Sequence, residues 1–177
     1  MDLKLIAKTN LKILFILILF LLTEIIAAKE PQNWDNSLET TKKEVFVVEN
    51  FIGGFDVPWG MAFLPNGKLL VSDRNGTLWL VDKNGEYKVK VTGVPKVRYK
   101  GQGGLLDIQI HPNYKDNKFI YLSYSDFLKD NKNNSFTSIV RARIDKNQLT
   151  DIISIYKADD IFYTKSTVHY GTRIVFD

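Results

Sequence analysis

Two histidines and no cysteine bound the side-chain chemistry of this 177-residue chain. Without a thiol there is no cysteine nucleophile and no cysteine metal site. His111 precedes Pro112 at the end of an apolar segment and reads as a structural residue at a strand end. His169 lies in His169-Tyr170-Gly171-Thr172-Arg173 and on its residues alone reads as a loop histidine that caps strand ends. Gln102 stands in Gly101-Gln102-Gly103-Gly104 and on its residues alone reads as a turn residue between glycines. Gly103 and Gly104 suit backbone that comes close to a neighbour or takes a positive φ. Asp107, three residues on, follows the same stretch and suits a structural pairing within its own blade. Residues 126–134 have the Asp/Asn composition of a calcium loop but lack the glycine and closing glutamate of an EF-hand, so they read as a solvated insertion.

Short strands must position these residues. Val45–Val48, Met61–Leu64, Leu69–Ser72, Thr77–Val81 and Tyr87–Val91 are rich in β-branched, aromatic and other apolar side chains. Asn66-Gly67, Asn75-Gly76 and Asn84-Gly85 separate the last four. Asn-Gly tolerates positive φ at both central turn positions, which predicts an antiparallel meander over about 59–91. A second four-stranded unit follows: Leu105–Ile110, Phe119–Tyr124, Ile139–Ile144 and Asp151–Tyr156. Ser125–Ser138 is expected to be a polar loop inside it. In Ile139–Ile144, Val140, Ala142 and Ile144 should face in and Arg141 and Arg143 out. Arg173–Phe176 should begin a third unit.

Phe63-Leu64-Pro65 aligns with Ile110-His111-Pro112, a spacing of 47 residues between the prolines. Four antiparallel strands repeated near this period are the mark of β-propeller blades, which bury their faces only against neighbouring blades. The alternative is a closed β-sandwich of eight or nine strands. The expected fold is therefore an all-β propeller of four-stranded antiparallel blades, here about two blades and the start of a third.

The N-terminus carries Lys4, Lys8 and Lys12, an unbroken apolar run Ile13–Leu22, and then Ala27-Ala28. That order predicts a secretory signal over residues 1–28, cut near the alanines. Glu24 stops the run well short of the roughly 20 apolar residues of a membrane span. Residues 29–43 read as a linker and 44–177 as the propeller portion. An exported chain without cysteine suits a bacterial periplasm better than the disulfide-rich class of small secreted domains. The 24 basic and 20 acidic residues are interspersed, which argues against a nucleic-acid face.

Several segments are more specific than the period. They are Val57-Pro58-Trp59-Gly60-Met61-Ala62-Phe63-Leu64-Pro65-Asn66-Gly67, Gly101-Gln102-Gly103-Gly104-Leu105-Leu106-Asp107-Ile108, His111-Pro112-Asn113-Tyr114 and His169-Tyr170-Gly171-Thr172-Arg173. In this order they resemble the glucose/sorbosone dehydrogenase family, the soluble aldose dehydrogenases that depend on pyrroloquinoline quinone (PQQ). The resemblance implies a six-bladed propeller, PQQ over its central channel with Ca²⁺ beside it, and oxidation of the C1 hydroxyl of aldoses. It implies His169 as the base for that hydroxyl and Gln102 as a polar contact to the cofactor. The cationic side chains for the cofactor's carboxylates and the calcium ligands are then expected beyond residue 177, and the chain is expected to be an incomplete, inactive fragment. Its partners would be an aldose and an electron acceptor. The competing expectation is a propeller used as a non-catalytic binding scaffold, since fold alone does not fix function.

Overall fold

A computed structural model describes residues 38–40, 44–171 and 173–177. The expected signal segment lies outside the described residues. The chain forms two compact units, residues 1–50 and 51–177. In the first, β1 (Leu38–Thr40) pairs antiparallel with β2 (Val45–Val47). The expected linker thus contains a short strand. Its sequence carries no period-2 pattern, and three residues are too few to show one.

The second unit holds two four-stranded antiparallel sheets, each in sequence order. The first blade is β3 (Pro58–Phe63), β4 (Leu69–Asp73), β5 (Thr77–Val81) and β6 (Lys88–Val91). The second is β7 (Leu105–Ile110), β8 (Phe119–Phe127), β9 (Ser135–Asp145) and β10 (Gln148–Lys157). A one-turn helix, α1 (Tyr114–Asn117), joins β7 to β8. These are blades of a β-propeller. Among the described residues no helix is long and apolar enough to cross a membrane.

The two blades share one core. Leu70, Leu78 and Leu80 of the first meet Leu105, Ile108, Ile120, Leu122, Val140 and Ala142 of the second. Most of these side chains are fully buried, each worth about 1.5–3 kcal/mol of transfer free energy. Val140 and Ala142 face in as expected, and Ile144 packs at the edge of the cluster. Arg141 and Arg143 lie on the other face, with their guanidinium groups 4.0 and 4.6 Å from the Phe119 ring centre. On the outer face of β3, Met61 is 64% and Phe63 62% exposed. Such faces are covered by adjoining blades in a propeller.

The three Asn-Gly turns form, but not with positive φ at both positions. Only Gly67, Gly76 and Gly85 take it, at 82°, 99° and 73°. Each glycine N–H donates three residues back, to Leu64, Asp73 and Asp82. This is a type I turn closed by a left-handed glycine. The first two asparagines use their side chains instead, accepting the N–H two residues on. Two other expectations shift. The loop expected over Ser125–Ser138 shrinks to residues 128–134, because β8 and β9 extend through serines whose side chains are buried. Arg173–Phe176, expected to begin a third unit, form no strand ladder among the described residues; the Ile174 N–H is taken by the Asp107 carboxylate instead.

The β5–β6 turn has an ionisable support. Asp82 accepts the N–H groups of Tyr87 and Asn84 at 2.9 and 3.0 Å. The Tyr87 N–H, with smaller help from Asn84, Glu86 and its own backbone N–H, holds its carboxyl below the usual 3.8, against the opposing effect of burial. A carboxyl depressed in the folded state stabilises above its unfolded pKa and loses that contribution as pH falls through the folded value. Asp82→Ala is therefore expected to lower the melting temperature at neutral pH. The gap to the parent should close below about pH 3.8, since protonation removes the carboxylate's advantage in both states. A gap that stays constant from pH 7 to pH 3 would contradict this.

Candidate active-site cleft

Two turns that are distant in sequence build the site. The first is Lys100–Gly104, leading into β7. Gly101 has φ 58°, and a Cβ there would lie 2.5 Å from the Thr167 carbonyl oxygen. Gly104 sits against the first blade, where a Cβ would lie 1.9 Å from the Arg74 carbonyl oxygen. Only glycine allows both approaches. The Gly104 N–H donates to Ser125 Oγ at 2.8 Å, which ties the turn to β8.

The second turn, residues 163–171, leaves the second blade after a 3-10 turn at Asp160–Phe162. Tyr163 is buried and donates to Asp126 Oδ2 at 2.9 Å. Burial, with Asp126 adding to it, pushes its hydroxyl up to about 12. Thr164 forms a bridge with Ser135 of β9. Arg98 is buried and donates from Nη1 to the Ser166 carbonyl and to Ser135 Oγ, both at 3.0 Å, and to the Tyr170 hydroxyl at 3.4 Å. The Tyr170 hydroxyl also meets Ser135 Oγ at 2.7 Å, and its carbonyl accepts from Thr137 Oγ1.

The turns meet at His169. The Gln102 N–H donates to the Thr167 carbonyl at 2.7 Å, and the His169 N–H donates to Gln102 Oε1 at 2.8 Å. His169 has φ 63°, a left-handed conformation in which histidine is enriched among non-glycine residues but which still costs about 1–3 kcal/mol. His169 and Gln102 line a cleft of about 130 Å³ with Trp59, Leu106, Tyr170 and Gly171. His169 also borders a cleft of about 420 Å³ with Ser135, Thr137, Tyr156 and Ser166 among its walls.

The other candidates lie elsewhere. His111 Nδ1 accepts the Asn113 N–H at 2.9 Å, which fixes the proton of the neutral ring on Nε2. Its ring packs among Phe119, Tyr121 and Phe176, a structural placement. Asp107 is 1% exposed; it accepts the Ile174 N–H at 2.8 Å and pairs with Arg173 at 3.2 Å. It anchors the segment after the site rather than pairing within its own blade. Asp107→Ala should leave that N–H unpaired, cost about 1–3 kcal/mol and speed proteolysis after Arg173. Unchanged cleavage there would contradict the anchoring role. Arg98 and Tyr170 were not picked out from sequence. Arg98 is hidden in Lys96-Val97-Arg98-Tyr99-Lys100, which reads as ordinary surface charge. Trp59 belongs to a motif, but nothing in its spacing marks it as a cleft wall.

Residues 55–177 match the Glucose / Sorbosone dehydrogenase family. The chain belongs to that family. It is 35% identical over 125 residues to aldose sugar dehydrogenase YliI of Escherichia coli, covering 69% of this chain and 33% of that protein. It is 32% identical over 158 residues to an uncharacterised protein of Synechocystis, covering 84% of this chain and 37% of that protein. Among solved structures it resembles the PQQ-bound aldose sugar dehydrogenase of Streptomyces coelicolor. The TM-score is 0.55 and the identity 31%, over 63% of this chain and 33% of that one. The chain thus spans about a third of the length of the curated relatives it matches.

Proposed function

We propose that this glucose/sorbosone dehydrogenase chain contributes the base and one cofactor contact to PQQ-dependent oxidation of the C1 hydroxyl of aldoses. The observation that carries the reading is the meeting of Gln102 and His169 across 67 residues of sequence at one cleft. Kinship to proteins named as aldose sugar dehydrogenases, one of them PQQ-bound, supports it.

The cleft fits part of the cofactor. The Trp59 indole, 41% exposed, offers a flat wall. Gln102 spends its carbonyl on His169, which leaves its amide N–H groups to donate to a quinone oxygen. At Gly171 nothing lies within 4 Å of where a Cβ would be. Among the described residues no lysine or arginine lines this cleft, so it suits the quinone edge and not the carboxylates. When bound, the cofactor supplies a carbonyl carbon that accepts two electrons as hydride. Calcium beside it belongs to the same proposal, with no ligand assigned among the described residues.

The protein's part is proton transfer and placement. As the substrate C1–H bond breaks and its electron pair leaves with the hydrogen, the C1–O bond becomes a carbonyl and the hydroxyl proton must go to a base. His169 takes it. Tyr170, held by Arg98, Ser135 and Thr137, keeps the turn beside that base in place. The chemistry requires a free C1 hydroxyl, and a protein outside the cytoplasm would meet aldoses directly. Export to a bacterial periplasm through residues 1–28 is part of the proposal.

The test uses the full-length protein carrying these residues, freed of cofactor and titrated with PQQ in the presence of Ca²⁺. Dye reduction by aldoses should rise with PQQ and saturate. Absence of any PQQ-dependent dye reduction over a panel of aldoses would sink the reading and favour the binding-scaffold alternative.

A further inference from the structure

We propose that Gln102 is a positioning residue whose side-chain carbonyl holds the His169 backbone in its left-handed conformation and so fixes where the imidazole sits. This rests on the proposed role of His169 as base. Gln102 reaches the second turn twice: its backbone N–H donates to the Thr167 carbonyl at 2.7 Å, and its Oε1 accepts the His169 N–H at 2.8 Å. The backbone bond survives any substitution at 102 other than proline. Gly101 lies so close to Thr167 that even a Cβ there would clash, so the two turns keep their register without help from the Gln102 side chain. Between the two turns the side chain therefore adds one bond, that to residue 169.

That bond falls where it matters. His169 has φ 63°, a region an L-residue leaves readily unless its surroundings hold it. The next residue is held separately, with the Tyr170 hydroxyl on Ser135 and Arg98 and its carbonyl on Thr137. Gln102 accepts the His169 N–H itself, and so acts on the peptide that sets the ring's direction. Because Arg98, Ser135 and Thr137 keep the turn docked, loss of the Gln102 side chain should free the His169 peptide without unfolding the turn.

The side-chain length is a condition of the proposal. Glutamate has the same reach and offers carboxylate oxygens to the same N–H, but it has no amide donor. Asparagine keeps the amide and is one methylene short. The acceptor role toward His169 and the donor role toward cofactor thus separate by substitution.

Q102A, Q102E and Q102N are made in the full-length protein. The first readout needs no cofactor. Exchange of the His169 amide is followed in protein labelled with ¹⁵N-histidine, the signal assigned by its loss in H169A. Exchange in Q102A and Q102N should be about tenfold or more faster than in the parent, while Q102E stays close to the parent. The second readout is kcat at saturating PQQ. Q102A should fall by about 10- to 100-fold, as expected for a misplaced catalytic group, and Q102E should recover about tenfold over Q102A even though its PQQ affinity is weakened. Equal amide exchange in the parent, Q102A and Q102E overturns the clamp. Equal kcat in Q102A and Q102E, with exchange restored in Q102E, overturns its catalytic meaning. The base assignment fails on a separate sign, parent-like turnover by H169A.

Discussion

His169→Ala is expected to lower kcat by about 10² to 10⁴ in the full-length protein while leaving PQQ binding nearly unchanged. That range is what a positioned general base contributes in the transition state. Two features of the structure favour a loss at the upper end. The peptide of His169 is pinned by Gln102 on one side, and the adjoining Tyr170 is pinned by Ser135, Thr137 and Arg98 on the other. The proposed base, held in this way, has a fixed place, and among the described residues the other histidine, His111, is packed among Phe119, Tyr121 and Phe176. Folding should survive, because the exposed imidazole makes no hydrogen bond to the core among the described residues. PQQ titration by fluorescence and dye-linked turnover separate the two quantities. A loss of PQQ affinity with kcat unchanged would make His169 a binding residue instead.

Gly104→Ala should be the most destabilising of the single-methyl changes at the site. The added carbon would lie 1.9 Å from the Arg74 carbonyl oxygen and 2.5 Å from Arg74 Cγ, with φ at +151°. Relief by movement is blocked on both sides. The Arg74 carbonyl accepts the Leu105 N–H at 3.1 Å, a bond that links the first blade to the second. Gly104 itself donates to Ser125 Oγ and accepts from the Ser125 N–H. Moving either partner breaks a buried hydrogen bond at a site already strained, so the expected loss is about 3 kcal/mol or more. Gly53→Ala is the control, since a Cβ there meets nothing within 4 Å among the described residues, and it should change stability by no more than about 0.5 kcal/mol. Denaturant unfolding of the two variants against the parent decides the matter. Similar midpoints for Gly104→Ala and the parent would mean that the blades do not pack as described.

The strands were legible because their signals are local. Asn66-Gly67, Asn75-Gly76 and Asn84-Gly85 marked the turns of the first blade, although the glycines alone supply the positive φ. The same reliance on local signals misplaced the second blade's hairpin. Ser125, Ser135 and Ser138 look like loop residues, yet their side chains are buried; Ser125 is paired with Arg98 and Gly104, and Ser135 with Arg98 and Tyr170. A polar residue that is satisfied by a distant partner cannot be recognised as interior from its neighbours in sequence. The site divides in the same way. Gln102 and His169 could be singled out from their motifs, but the hydrogen bond between them is a tertiary fact. Arg98 carried no signal at all, because only the fold turns one cation of a basic stretch inward.

The most direct test of the proposed chemistry compares a reducing aldose with its 1-O-methyl glycoside in the PQQ-loaded full-length protein. The glycoside keeps the ring and the C1–H bond and lacks only the hydroxyl proton that His169 is proposed to take. Rapid dye reduction with the aldose, none with the glycoside, and loss of the aldose rate in H169A is the predicted result. Equal turnover of aldose and glycoside would contradict oxidation at the C1 hydroxyl, and aldose turnover that is independent of PQQ would contradict the cofactor's part in it.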